Sequence, residues 1–214
     1  MHLDVVRPEL WSLLRELMAW PPLNDFVLVG GTSLALRSGY RESVDLDLFC
    51  HPDFDLELLR DQLQASFPDF SLTSASPAGL FSTFGGVKVD FVKHRQPWLS
   101  PCDELDGLRL VALDDLAAMK VNAVMGRGSK KDFSDLLYLN DNGLPLAYAV
   151  GHFAKKYSND TVFSAIRSLN YFGETDGEFD PLYRNGWTWP LVRQRMSGLA
   201  AALTHPDSRL KDHA

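Results

Sequence analysis

The sequence predicts an α+β fold, with an N-terminal core of α/β type over residues 1–112 and a helical subdomain over residues 113–214. Three observations predict it. Short apolar runs bounded by glycine alternate with helical spacing as far as "GLRLVALDD". Beyond that point only helical spacing continues. Charge divides at the same place: residues 1–112 hold nine Lys and Arg against sixteen Asp and Glu, a net of −7, whereas residues 113–214 balance at twelve each.

The elements follow in order. "MHLDVVRPELWSLLRELMAW" reads as an amphipathic helix and "PPLND" as a loop. "FVLVG" is a continuous apolar run ending at glycine, as a buried strand requires, and "TSLALRSG" is a short helix closed by Gly39. "VDLDLFC" alternates with period two, "DLELLRDQLQASF" has helical spacing from an aspartate cap, and "FSLTSAS" reads as a strand. "LFSTFGGVKVDFV" is two strands joined by Gly85-Gly86, a hairpin signal that completes a βαβαβ half. The helices "LDDLAAMKVNAVMG", "KKDFSDLLYLND", "LPLAYAVGHFAKKYS", "DTVFSAIRSLNYF" and "WTWPLVRQRMSGLAAAL" make up the rest, with the acidic loop "GETDGEFDPLYRNG" before the last.

Composition narrows the function classes. At 45% hydrophobic and 23% charged, the 214 residues suffice for a sizeable core. No stretch reaches the roughly 18 apolar residues of a membrane span, and the N-terminus lacks a signal-peptide pattern, so the expected location is the cytoplasm. Cys50 and Cys102 are far apart, which supports neither a disulfide framework nor a cysteine-based zinc site. A net charge of −7 argues against indiscriminate nucleic-acid binding.

Within the acidic half, three segments carry chemistry. In "SVDLDLFC", period two puts Val44, Leu46 and Leu48 on a core face and Asp45, Asp47 and Phe49 on the other. Alpha carbons two apart on a strand lie about 6.6 Å from each other, so the two carboxylates can share ions about 3.5–4 Å apart. Unpaired, they would repel; a divalent cation removes the conflict, and so would plain solvation of an edge strand. The turn before them, Gly30-Gly31-Thr32-Ser33, offers backbone N–H groups, hydroxyls and a helix N-terminus suited to phosphate. It lacks the P-loop and Rossmann spacings and would equally serve as a tight turn capped by Thr32 or Ser33. In "GGVKVDFV", Val87, Val89 and Phe91 share one face while Lys88 and Asp90 share the other, either as a third carboxylate or as a surface ion pair.

Together, "VGGTSLALRSGYRESVDLDLF", "GGVKVDFV" and "VALDDLAAMKVNAVMGRGSKKDFSDLLYL" resemble the AbiEii-type nucleotidyltransferase toxins of the DNA-polymerase-beta-like nucleotidyltransferase superfamily, and "IRSLNYFGETDGEFDPLYRNGWTWPLVRQRM" is similar to that family's C-terminal stretch. The resemblance covers nearly the whole chain. It implies a nucleotidyltransferase-like mixed sheet flanked by helices, with a catalytic domain over residues 1–112. It further implies that Gly30, Gly31 and Thr32 hold a triphosphate with support from Ser33, that Asp45 and Asp47 bind magnesium, and that Asp90 is the third carboxylate. The family's later motif falls on Lys120, Lys131, Asp132 and Asp135. Two Mg2+ ions, a nucleoside triphosphate, an RNA or tRNA acceptor and an opposing antitoxin are the implied cofactors and partners.

The later motif also has a local reading. Leu116, Met119, Ala123 and Val124 predict a buried stripe, with Lys120 and Arg127 seven apart on one side of the helix. Lys130 and Lys131 cluster with Arg127 at a turn, and Asp132 and Asp135 stand in the first turn of the next helix, where its dipole favours them. This is either a capped junction or a set of triphosphate contacts, with Lys120 and Lys131 both open as the contacting lysine. Arg37 and Arg41 either meet a nucleotide or neutralise the acidic face. His51 and His94 read as surface residues, and Trp187 and Trp189 as anchors of the last helix. Three rivals share part of the pattern: a small-molecule nucleotidyltransferase, a non-catalytic nucleotide-binding relative, and a haloacid-dehalogenase-type phosphatase. The last wants its Asp-x-Asp on the first strand, where this chain has Gly-Gly-Thr-Ser instead.

Overall fold

The computed structural model describes residues 1–51 and 53–204. The chain forms two compact units that divide in sequence between Leu116 and Ala117. The first unit is built on a seven-stranded sheet.

Helix α1 (Pro8–Ala19) opens with proline, whose missing N–H costs nothing in a first turn, and buries Leu10, Leu14, Leu17 and Met18. Strand β1 (Phe26–Leu28) is buried throughout and leads into α2 (Gly30–Ser38). Gly39 ends α2 in the left-handed region at φ +68°, its N–H donating to the Ala35 carbonyl. After β2 (Asp45–Cys50), Asp55 caps α3 (Leu56–Ser66), its carboxylate accepting from the N–H groups of Glu57 and Leu58. Strands β3 (Phe70–Ser76), β4 (Gly79–Phe84) and β5 (Val87–Lys93) form a meander. Gly85 and Gly86, at φ +53° and +89°, make the turn between β4 and β5 that only glycine adopts without strain.

Strands β6 (Asp103–Leu105) and β7 (Leu108–Leu110) form a hairpin where the sequence reading placed only a boundary. The sheet order is β3-β4-β5-β2-β1-β7-β6. Central β2 runs parallel to β5 and antiparallel to β1, giving the mixed sheet that the family resemblance implies.

Residues Leu46, Leu48, Val89 and Phe91 are fully buried and share a core with Leu14 and Leu17 of α1 and Leu59 and Leu63 of α3. The alternating partners on β2 and β5 therefore face away from that core. Val44 departs from the expected pattern. It precedes the paired strand, which starts at the Asp45–Lys88 register, and is 52% exposed.

Helix α4 (Leu113–Gly126) runs across the sequence division. The second unit continues with α5 (Lys130–Asp141), α6 (Leu146–Lys156), α7 (Val162–Ser168) and α8 (Trp189–Thr204). On α4 the buried apolar side chains are Leu116, Ala117, Ala118, Val121 and Val124, while Met119 and Ala123 are half-buried. The expected stripe is thus shifted, with Ala117, Ala118 and Val121 buried in place of Met119 and Ala123. Trp189 packs with Phe133 and Phe172, both ring centroids at 6.0 Å, and anchors the start of α8 as expected. Among the described residues no helix is long and apolar enough to cross a membrane.

Candidate active site

The exposed-face alternation on β2 and β5 brings the acidic segments together. Asp47 pairs in register with Asp90, and Asp45 with Lys88, on adjacent parallel strands. Registered neighbours in a sheet point their side chains to the same side, so Asp45, Asp47, Lys88 and Asp90 occupy one face. Asp45 and Asp47 are half-buried; Asp90 is 8% exposed.

The glycine turn meets that face. The Val29 N–H donates to the Asp47 carbonyl at 2.9 Å, tying the end of β1 to β2. Gly30 follows at φ +69°, and a Cβ there would collide with the Asp47 carboxylate, whose Cγ would lie 3.1 Å away. The missing side chain is what lets the carboxylate lie against the turn. Gly31 makes the same allowance for the guanidinium of Arg41, which is 1% exposed. Arg41 also donates to the Tyr40 hydroxyl at 2.9 Å and the Glu42 carbonyl at 2.8 Å, so it is built into the turn's wall.

The two hydroxyls of the turn differ. Thr32 shares a 2.8 Å hydrogen bond with Ser43 and donates to the Asp45 carbonyl, fixing the turn to the start of β2. Ser33 is fully buried, and its Oγ has no hydrogen-bond partner among the described residues. A buried hydroxyl left unpaired costs about 1–3 kcal/mol, and this one stands near the head of α2.

Lys88 donates to Asp90 Oδ2 at 2.8 Å. Burial disfavours its charge, but the hydrogen bond to Asp90 and the charges of Asp90, Asp45 and Asp47 outweigh that and hold its pKa above the ordinary lysine value. Asp90 Oδ1 is buried with no hydrogen-bond partner among the described residues. The donor set suits a magnesium ion: hard carboxylate oxygens on one face, one of them unsatisfied. Among the described residues no three acidic, histidine or cysteine side chains are already closed into a metal-holding cluster. The positive charge beside Asp90 is that of Lys88.

Other residues singled out in the sequence have separate partners in the first unit. Arg37 donates to Asp103 and to the Val111 carbonyl, each at 2.8 Å, and secures the β6–β7 end. His51 Nδ1 is bonded to the His94 carbonyl, and His94 is buried and stacked on Trp98, its centroid 4.4 Å away. The Cys50 thiol is pushed up to about 11 by burial and then by Asp25 and Asp53, so it remains a protonated core group.

The later motif forms its own cluster in the second unit. Lys120 bridges Asp132 Oδ1 at 3.0 Å and Asp135 Oδ2 at 2.5 Å, and all three are buried. Arg127 and Ser129 donate to Asp132 Oδ2 at 2.9 and 2.8 Å. Burial would raise the Asp132 pKa, but the charge of Lys120 and the hydrogen bond and charge of Arg127 prevail and hold it well below the carboxylate range. A depressed carboxyl contributes stability that is complete above its unfolded pKa, about 3.9, and is lost as pH falls toward the folded value. Urea midpoints are therefore expected to fall more steeply below about pH 4 in the native chain than in Asp132→Asn. Parallel pH curves for the two would contradict this.

Lys130, which the sequence grouped only by charge, turns out to clamp the acidic loop. Its Nζ reaches the Glu178 carbonyl at 2.7 Å and Asp180 at 2.8 Å, and its backbone N–H donates to Glu178 Oε2 at 2.8 Å. Residues 48 and 50 positions away leave no local signal for such a contact.

Comparisons with known proteins bear on the family and the fold. An uncharacterized Aquifex aeolicus (strain VF5) protein is 34% identical over 160 residues, covering 72% of this chain and 77% of that protein. A crystal structure from H. pylori, of a protein described as a nucleotidyltransferase, superposes with a TM-score of 0.56 at 19% identity, covering 91% of each chain. JHP933 from Helicobacter pylori gives 0.52 at 16% identity, over 94% of this chain and 90% of that one. At those identities the two structures speak for the fold. A model of the family described as nucleotidyl transferase AbiEii toxin, type IV toxin–antitoxin system, matches residues 12–201. The chain therefore belongs to the AbiEii nucleotidyltransferase family.

Proposed function

We propose that this chain moves a nucleoside monophosphate from a nucleoside triphosphate to a hydroxyl of RNA, most concretely a tRNA end, with pyrophosphate leaving. The observation that carries the reading is the β2–β5 register, which sets Asp45, Asp47 and Asp90 on one face with Asp47 against Gly30.

In this reading the N–H groups of the Gly30–Ser33 turn and the Ser33 hydroxyl hold phosphate oxygens at the N-terminus of α2. Thr32 keeps the turn at a fixed distance from β2, and Arg41 supports it from beneath. Asp45 and Asp47 would hold one magnesium ion, and Asp47 with Asp90 a second. Bound there, magnesium supplies charge neutralisation on the phosphates and a lowered pKa for the attacking hydroxyl. The protein's own contribution is alignment on a rigid sheet. Lys120, Lys131, Asp132 and Asp135 stay in the proposal as the charged motif of α4 and α5. Their activity effects have to be separated from their part in folding.

The family's description as the toxin of a toxin–antitoxin system supports an antitoxin counterpart. Incubating the chain with magnesium, each labelled triphosphate in turn and total RNA is expected to label a discrete RNA. Labelling of added small hydroxyl acceptors with none in RNA would instead assign a small-molecule transferase.

A further inference from the structure

Three carboxylates on one sheet face repel one another unless a cation stands among them. The protein carries such a cation itself. Lys88 is two residues before Asp90 on β5, in register with Asp45, and its ammonium lies 2.8 Å from Asp90 Oδ2. The two partners are unequal: the Asp90 side chain is 11% exposed and fixed by the sheet, whereas the Lys88 side chain is 54% exposed. The lysine can leave while the carboxylate stays. Asp90 also has a second, unpartnered oxygen, so giving up Lys88 frees both oxygens for other use.

We propose that Lys88 is a tethered counter-ion of the carboxylate face, which pairs with Asp90 in the metal-free protein and is displaced from it when a divalent cation binds. The inference rests on the metal reading above and assigns a residue to the metal-free state. Such an arrangement keeps Asp90 aligned in the absence of metal and lowers the affinity for it, since binding must break the ion pair and bring two cations close. With its lysine end in solvent, a pair of this kind is worth about 1 kcal/mol, which corresponds to a factor of about five in an equilibrium.

Isothermal titration of magnesium into the full chain, with thermal melts at each endpoint, tests it. Lys88→Met is expected to bind magnesium about fivefold more tightly than the native chain and to melt about 2–4 °C lower without metal. Its melting point should rise more on adding magnesium than that of the native chain. Lys88→Arg, which retains the charge, should follow the native chain. Equal or weaker binding by Lys88→Met would overturn the role of Lys88 and leave the metal reading standing. Absence of magnesium binding to the native chain would remove the metal reading and this inference with it.

Discussion

Replacing Lys120 by methionine should destabilise the fold by about 3–5 kcal/mol, the cost of leaving a buried charge without its partner. Lys120 is 5% exposed and holds two carboxylates, Asp132 and Asp135, that are fully buried. Arg127 remains on Asp132 in the variant, with its side chain 69% exposed. Urea unfolding at pH 7 measures the loss, and the double variant Lys120→Met/Asp135→Asn should recover part of it because one of the two buried carboxylates that Lys120 bridges loses its charge too. A loss below about 1 kcal/mol would mean that the cluster is solvated and weak. Any fall in activity in Lys120 variants has to be read against this stability change.

Much of the first unit was legible because its signals are local. Period two in "VDLDLF" and "VKVDFV" follows from the pleat, and it sorted Leu46, Leu48, Val89 and Phe91 from Asp45, Asp47 and Asp90 correctly. Gly85-Gly86 and Gly39 were equally readable, since positive φ demands glycine. The β6–β7 hairpin carried a signal as plain, Asp106-Gly107 at φ +51° and +79°, but its strands of three residues are too short for periodicity to show.

The site was legible as a set of segments and less so as contacts. That Asp47 and Asp90 stand side by side depends on β5 inserting next to β2 after a meander, which is topology and not spacing. Lys88 and Asp90 were left as either a surface ion pair or a polar face bearing a third carboxylate; the pair forms at 2.8 Å with Asp90 buried, and its place among all three carboxylates required the register. Arg41 was left between two roles. Its burial against Gly31 comes from the fold of the loop and has no signature in composition. The Lys120–Asp132–Asp135 cluster was named residue by residue from the family resemblance, and the structure supplies the ion pairs that join them.

Asp47 is the residue on which the three segments converge. It lies in register with Asp90, shares a strand face with Asp45, and presses its carboxylate against Gly30. Asn at this position keeps the shape and removes the charge, so the turn and the strand pairing should survive while cation binding and phosphate neutralisation are lost. Interactions of that kind are worth several kcal/mol in a transition state, and each 1.36 kcal/mol is tenfold in rate. The decisive measurement is magnesium-dependent transfer of labelled nucleotide by the native chain and by Asp47→Asn, with circular dichroism and melting curves showing both folded. The expected result is a fall of about a thousandfold or more in the variant at an unchanged fold. Transfer within a few-fold of the native rate would show that the carboxylate face is not where the reaction takes place.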